Sequence, residues 1–467
     1  MNRFVPPIKD GILHNPGCGA MYLQRNRHKQ RFGEIAPDSW FLRERLTDKI
    51  AFSIPWSVLE PREGEFAWKH PDWEGCIDSW VAAGFKVALQ VRGMGTLGTC
   101  YDDGTPQWVF DAGARRVDEE IAAYRGTHLL NDIPEHSTAP IRYPVYWDEV
   151  YLDKVRNLVR ALGTRYNGRP EIEYISIGHL GRWGEMHIAH HSPLQPWREA
   201  GLSITNYCSA YRSIMDFYRA SFPDTELSQE IGTIAFGERP GDRDLYDFRE
   251  FAELFGYAAD RAVILKFDGV GKSYHSRRSD YLDDAVTEIL NYYKHRTKIA
   301  FENLVLPEAE EEALALGMSY WHRGGETEGL GAARVEWPVP LERKRLYSFY
   351  SFFRERYDRL LPEDEKNLWR LPALKCGYRL EITEVCSDGE ATAIRLRNNS
   401  FAPFREAAAV VTIAFAGRRH RVALEGLEAG EEVVVSSPWG SNPAKVAVEI
   451  TCRRGRINLA VQIPGTR

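Results

Sequence analysis

Eight short apolar runs, each followed by a stretch long enough for a helix, constrain this chain more than any other feature. They are Gly17–Leu23 (GCGAMYL), Ile50–Trp56 (IAFSIPW), Lys86–Val91 (KVALQV), Ile172–Gly178 (IEYISIG), Glu226–Ile234 (ELSQEIGTI), Ala262–Phe267 (AVILKF), Lys298–Phe301 (KIAF) and Met318–Trp321 (MSYW). Runs this short and this apolar suit strands covered on both faces, as in a parallel sheet. Helix-like segments lie between them, among them Trp73–Ala83, Trp147–Leu162 and Tyr281–Lys294. Eight such units over about 350 residues predict a (β/α)8 barrel. A doubly wound sheet is the rival, but no glycine-rich phosphate fingerprint follows the first strand.

After Arg354 the pattern changes. Short alternating segments such as YRLEITEV, EATAIRLRN, EEVVVSS and KVAVEIT are divided by turn signals such as SDGE and SNPA. This predicts a β-sandwich over 370–467, behind a barrel over 1–360. The stretch Gly93–Tyr146 is too long for a simple connection and is rich in Gly, Pro, Asp and aromatic residues. It reads as the wall of a binding cleft.

Composition narrows the function. In 467 residues, 60 basic against 66 acidic side chains give a formal charge of −6, with no basic stripe, so no nucleic-acid partner is expected. No window approaches about 18 uninterrupted apolar residues, so no membrane span is expected. Met1–Asp10 lacks the apolar core of a signal peptide. The seven cysteines (18, 76, 100, 208, 376, 386 and 452) show no CxxC spacing, and together these features predict a cytoplasmic protein with reduced thiols. Aromatic residues make up 12% of the chain, which suits either stacking on sugars or a large core.

Chemistry in such barrels sits at the C-terminal ends of the strands. Arg92 follows the third run, His179 and Glu185 the fourth and Asp268 the sixth; Glu302 ends the seventh, and Trp321 with His322 the eighth. Two glutamates facing each other across a barrel mouth are what glycoside hydrolysis needs, one protonated to donate to the leaving oxygen and one ionised. Glu302 could instead be a strand-end carboxylate in a salt bridge, and Arg92 and Asp268 could simply lock neighbouring loops. The loop HIAHH holds His187, His190 and His191 at spacings that could ligate zinc, but no matching further ligand motif accompanies it, so no metal is expected.

The stretch Trp56–Trp68 (WSVLEPREGEFAW), with the helix and strand ending AAGFKVALQVRG, resembles the passage from second to third strand in clan A glycosidase barrels. NPGCGAMY, IGHLGRWGEMH and RNNSFAP resemble an uncharacterised bacterial family of glycosidase-like proteins that joins a barrel to a small β-sandwich. The resemblance implies an acid/base glutamate after the fourth strand and a nucleophile ending the seventh, roles that fall on Glu185 and Glu302. The clan has asparagine immediately before the acid/base, where this chain has Gly184. That departure leaves inverting chemistry and a catalytically silent site open.

The sequence thus predicts a glycoside hydrolase acting on short oligosaccharides or glycosides. Glu185 and Glu302 would be catalytic. Trp56, Trp183 and Trp321 would stack on sugar, and Arg92, His179, Asp268 and His322 would contact its hydroxyls. No cofactor is expected. The alternative is a carbohydrate-binding barrel without catalysis.

Overall fold

The structure is a computed structural model that describes residues 2–23, 45–94, 104–119, 140–182, 184–186, 188, 194–231, 248–270, 290–304, 318–324 and 373–461. After β1 (Asn2–Phe4), the chain builds β2 (Gly19–Leu23), β3 (Lys49–Pro55), β4 (Lys86–Arg92), β5 (Arg116–Glu119), β6 (Ile141–Pro144) and β7 (Ile172–Ile177). Then come β8 (Leu227–Ile231), β9 (Val263–Val270), β10 (Ile299–Leu304) and β11 (Met318–Gly324). Eight of these close a barrel in the order β2-β3-β4-β7-β8-β9-β10-β11, with β11 returning to β2 and every pair parallel. Each of the eight predicted runs supplies one barrel strand, so the predicted (β/α)8 barrel is the observed fold.

Local sequence explains the helices that wrap the barrel. Glu149–Tyr166 starts at Asp148, whose side chain accepts from the backbone N–H groups of Val150 and Tyr151. Its buried residues Tyr151, Val155, Leu158, Val159, Leu162 and Tyr166 recur at helical spacing and face the barrel layer. Ile204–Ser221 is capped in the same way by Ser203, which accepts from Asn206 N–H. Inside the barrel, Met21, Ala51, Ala88, Tyr174, Ile264 and Ala300 form a layer of their own. These six come from six different strands, so they fix which face of each strand looks inward.

Among the described residues, many aromatic side chains enter the main core between barrel and helices. The ten largest fully buried side chains among the described residues are all Trp or Tyr. The stretch 93–146 contributes too: β5 and β6 pair antiparallel, and Val109, Val117, Ile141, Tyr143 and Tyr146 join the main core. Its described parts (93–94, 104–119 and 140–146) are therefore packed against the barrel; the rest of the expected cleft wall lies outside the described residues.

The second module contains β12 (Leu380–Ser387), β13 (Thr392–Asn398), β14 (Val410–Phe415), β15 (Arg418–Ala423), β16 (Glu432–Ser437), β17 (Ala447–Cys452) and β18 (Gly455–Ile457). Two four-stranded antiparallel sheets, β1-β12-β13-β16 and β15-β14-β17-β18, share one apolar core. The burial alternates along β13, as a strand with one face inside requires. One element differs from expectation. β1 pairs with β12, Phe4 opposite Val385, so the first described residues belong to the β module and not to the barrel. The link continues through Lys9 N–H to Ala460 O (2.9 Å) and Asn458 N–H to Asn15 Oδ1 (2.7 Å). No described helix is long and apolar enough to cross a membrane.

Candidate active site

The segment after β7 turns on three positive-φ residues: Gly181 (φ +77°), Gly184 (φ +76°) and Met186 (φ +67°). The turns close through Gly184 N–H to Gly181 O (3.2 Å), Glu185 N–H to Arg182 O (2.9 Å) and Met186 N–H to Leu180 O (3.1 Å). Two glycines are there because nothing larger fits. A Cβ on Gly178 would lie 2.3 Å from Val91 O, and one on Gly184 would lie 2.7 Å from Gly178 Cα and 2.9 Å from Gln90 Nε2. A larger residue, asparagine included, could not be accommodated at position 184 by this backbone.

Side chains from three other elements hold the carbonyls of this loop. Tyr151 O–H donates to His179 O (2.7 Å), Gln229 Nε2 donates to Gly184 O (3.3 Å) and Tyr207 O–H donates to Met186 O (2.8 Å). Gly93 N–H donates to Gly178 O (2.9 Å). Glu185 is half-buried at the tip of a loop whose geometry is thus set from outside it. Met186 is held in a conformation that L-residues adopt sparingly, beside the glutamate; such strain persists only where surroundings over-determine it.

Glu302 lies in β10 at the C-terminal end of the barrel. Phe301 pairs with Phe267 and Asn303 with Gly269, which sets Glu302 level with Asp268 on β9. Its position shares a strand face with Ala300 of the inner layer. On β11, Trp321 stands opposite Phe301 on one side and Ala20 on the other, and His322 stands opposite Met21. The side chains of Asp268, Glu302, Trp321 and His322 lie outside the described residues, as do Trp183, His187, His190 and His191 altogether. Arg92 ends β4 half-buried, with Nε donating to Gln90 Oε1 (2.5 Å).

Two expected ligand contacts are instead core residues. Trp56 is fully buried, ringed edge-on by Trp108 and His179 (centroids at 5.7 and 5.5 Å) and tilted against Tyr151. Its Nε1 donates to Glu60 Oε2 (2.7 Å), while Gly64 N–H donates to Glu60 Oε1 (2.8 Å). The Trp…Glu-Pro…Gly phrase is therefore a knot that ties the loop after β3, and burial pushes the Glu60 carboxyl upward in pKa. His179 is also fully buried, with Nδ1 2.8 Å from Tyr218 Oη. Burial lowers its pKa to about 3, so it is a neutral imidazole whose Nε2 finds no hydrogen-bond partner among the described residues. Neither ring has a face open to a sugar; both support the loop from behind.

Sequence reading passed over Gln90, Gln229 and Lys266, all buried in strands near the mouth. Lys266 pairs with Ala300 and Glu230 in register and shares its strand face with Asp268. Gln90 and Lys266 each interrupt a largely apolar run (KVALQV, AVILKF), where a polar residue in a buried strand was the available signal; Gln229 sits among polar neighbours in LSQEI and had none. Among the described residues, no group of three or more His, Cys, Asp or Glu is arranged to hold a metal ion.

No protein-family model matches this chain, and no curated protein matches it. Among solved structures, endo-glycoceramidase II from Rhodococcus sp., in a five-membered iminocyclitol complex, is similar with a TM-score of 0.42 and 12% identity, covering 92% of this chain and all of that one. A GH5_18 protein from Streptomyces cattleya in complex with GlcNAc has a TM-score of 0.41 at 12% identity, over 75% of this chain and 82% of that one. A psychrophilic glycoside hydrolase family 10 endo-β-1,4-xylanase has a TM-score of 0.34 at 12% identity, over 66% and 85%. These are distant matches to glycoside hydrolases; the fold itself rests on this chain's own strand register.

Proposed function

We propose that this protein is a glycoside hydrolase in which Glu185 donates and withdraws the proton and Glu302 is the ionised carboxylate at the anomeric carbon. The observation that carries the reading is the shared location of the two residues. Both stand at the C-terminal end of one closed parallel barrel, where such enzymes concentrate their chemistry. The anchoring of the Glu185 loop supports it further, since an acid must be held in one geometry to act in the transition state.

In this reading Glu185 protonates the leaving oxygen as the glycosidic bond breaks. Glu302 then meets the positive charge that develops on the sugar ring, either by attacking it or by activating water. Arg92, Asp268 and His322 bind hydroxyls, and Trp183 and Trp321 stack on the sugar. Trp56 and His179 keep their place as supports of the loop and leave the contact list. The substrates are short oligosaccharides or glycosides.

A panel of aryl glycosides and natural oligosaccharides, followed by NMR of the first-formed anomer, tests the proposal. Retention predicts carboxyl groups about 5–5.5 Å apart, and inversion about 6.5–9.5 Å. Saturable sugar binding with no hydrolysis anywhere on the panel would make the barrel a binding protein and end the enzymatic reading.

A further inference from the structure

At the far end of the barrel, the turn between β17 and β18 inserts Arg454 among the starts of the strands. Its guanidinium pairs with Glu173 (2.9 Å) and Glu226 (2.5 Å), and Lys298 joins Glu226 (2.6 Å) to Glu406 (3.1 Å). Lys49, the first residue of β3, pairs with Asp48 (2.6 Å) and donates to Asn15 O (3.0 Å). Between these groups and the N-terminal segment lies a cavity of about 150 Å³, walled by His14, Asp48, Lys49, Lys86, Arg454 and Arg456.

Four cations and one carboxylate on that wall do not carry equal obligations. Arg454 is satisfied by Glu173 and Glu226, and Lys49 by Asp48. Lys86, half-buried at the start of β4, uses its backbone N–H on Asp48 O (2.9 Å), and its ammonium acts on Glu173 through the field alone, with no side-chain hydrogen bond or ion pair of its own among the described residues. The carboxylate paired with Arg456 is Glu449, a loose 3.7 Å from Nε on the exposed side. Two positive charges, on half-buried Lys86 and exposed Arg456, therefore face the cavity with looser compensation than Arg454 and Lys49 have, and an anion between them would take charge-assisted hydrogen bonds from both. His14, which burial keeps neutral, adds a ring N–H without adding charge. A second cavity of about 250 Å³ shares His14 and Arg456 and is lined by apolar Ile12, Val448 and Leu459, which leaves room for a substituent.

We propose that the junction cavity binds a small oxyanion of the phosphate type, gripped by Lys86 and Arg456 and backed by Lys49 and Arg454. The oxyanion is free phosphate or the phosphoryl group of a small metabolite. Binding there joins the N-terminal segment, the barrel floor and the β module, so it stabilises the chain without touching the mouth. The inference is independent of the reaction proposed above.

Calorimetry and thermal unfolding of the full chain test it, with sodium phosphate and glycerol 3-phosphate compared with sodium chloride at equal ionic strength. The expected result is saturable 1:1 binding of phosphate with a raised Tm. Lys86→Gln with Arg456→Gln should weaken binding about ten- to hundredfold. The unliganded Tm should hardly change, and Lys86→Arg with Arg456→Lys should retain binding. Tighter binding of glycerol 3-phosphate assigns a metabolite as the source; weaker or equal binding assigns free phosphate. A response no larger than that to chloride, or affinity unchanged in the Gln variants, overturns the proposal.

Discussion

Gln229 donates its side-chain amide to the carbonyl oxygen of Gly184 across 3.3 Å, so the backbone just before Glu185 is held by strand β8. Since Tyr151 and Tyr207 hold two further carbonyls of the same segment, the loop carries its conformation as a property of the barrel and its helices.

The first prediction is steric. Gly184→Asn introduces a Cβ into space occupied by Gly178 and Gln90, at a residue with φ of +76°. Thermal or chemical unfolding should show a loss of about 1–3 kcal/mol, from strain at a left-handed position plus the clash. Unchanged stability would mean that the loop follows another path.

The second concerns the two glutamates. Glu302→Gln removes the charge that meets the sugar, so activity should fall for every substrate. Glu185→Gln removes the proton donor; a nitrophenyl glycoside needs little protonation and should be spared relative to natural glycosides by about 10²–10⁴-fold. In a retaining enzyme, azide should rescue the Glu185 variant. Steady-state kinetics on both substrate types would expose the assignment as wrong if the two variants lost activity equally without rescue.

A third prediction addresses the barrel floor. Glu173 is fully buried and pairs with Arg454, so Arg454→Met removes its ion-pair partner and leaves it only the Gly17 N–H (3.0 Å) and the fields of nearby lysines. Denaturant titration should record a loss of about 3–5 kcal/mol, the scale for breaking a buried pair by removing one partner. Changing both residues to apolar ones should recover much of that loss.

The fourth is a pH slope. Burial pulls the His179 pKa down to about 3, whereas the unfolded chain titrates near the ordinary value of about 6.5. The unfolded state therefore binds one more proton between these limits, and stability contributed by the neutral ring is present above about pH 6.5 and lost as pH falls towards 3. His179→Gln should flatten the stability–pH curve by about 1.4 kcal/mol per pH unit in that window. A second group overlaps the lower part of this window. Burial raises the Glu173 carboxyl, but Arg454 and the surrounding lysines more than offset this and hold it at about 2, so its contribution is lost as pH falls from about 4.5 to 2. Unfolding free energies measured across pH 2–8 for parent and variant would show no difference if His179 were solvated.

Legibility in the sequence followed the range of the interactions. KVALQV and IEYISIG announced strands because burial on both faces writes a local apolar signature. Glu302 drew attention because it directly ends such a run, and Glu185 because it stands in the phrase IGHLGRWGEMH. Trp56 was misread, since nothing in WSVLEP distinguishes a ring that packs on His179 from one that meets a sugar. Arg454 and Glu173 are 281 residues apart and leave no periodic trace, so the ion cluster at the floor could only be seen in the fold. The pairing of β1 with β12 was hidden for the same reason, because NRF is short, exposed and without alternation.

That pairing also orders events during synthesis. Phe4 leaves the ribosome 381 residues before Val385, the residue it lies opposite (385 − 4 = 381). At about 5–20 residues per second, the interval is roughly 20–80 s. Throughout that time β1 has no sheet to join, and all eight barrel strands are made before β12 emerges. The β module is therefore completed by two segments far apart in the chain meeting late. A nascent chain stalled before residue 380 should leave its first residues open to protease, and release should close them.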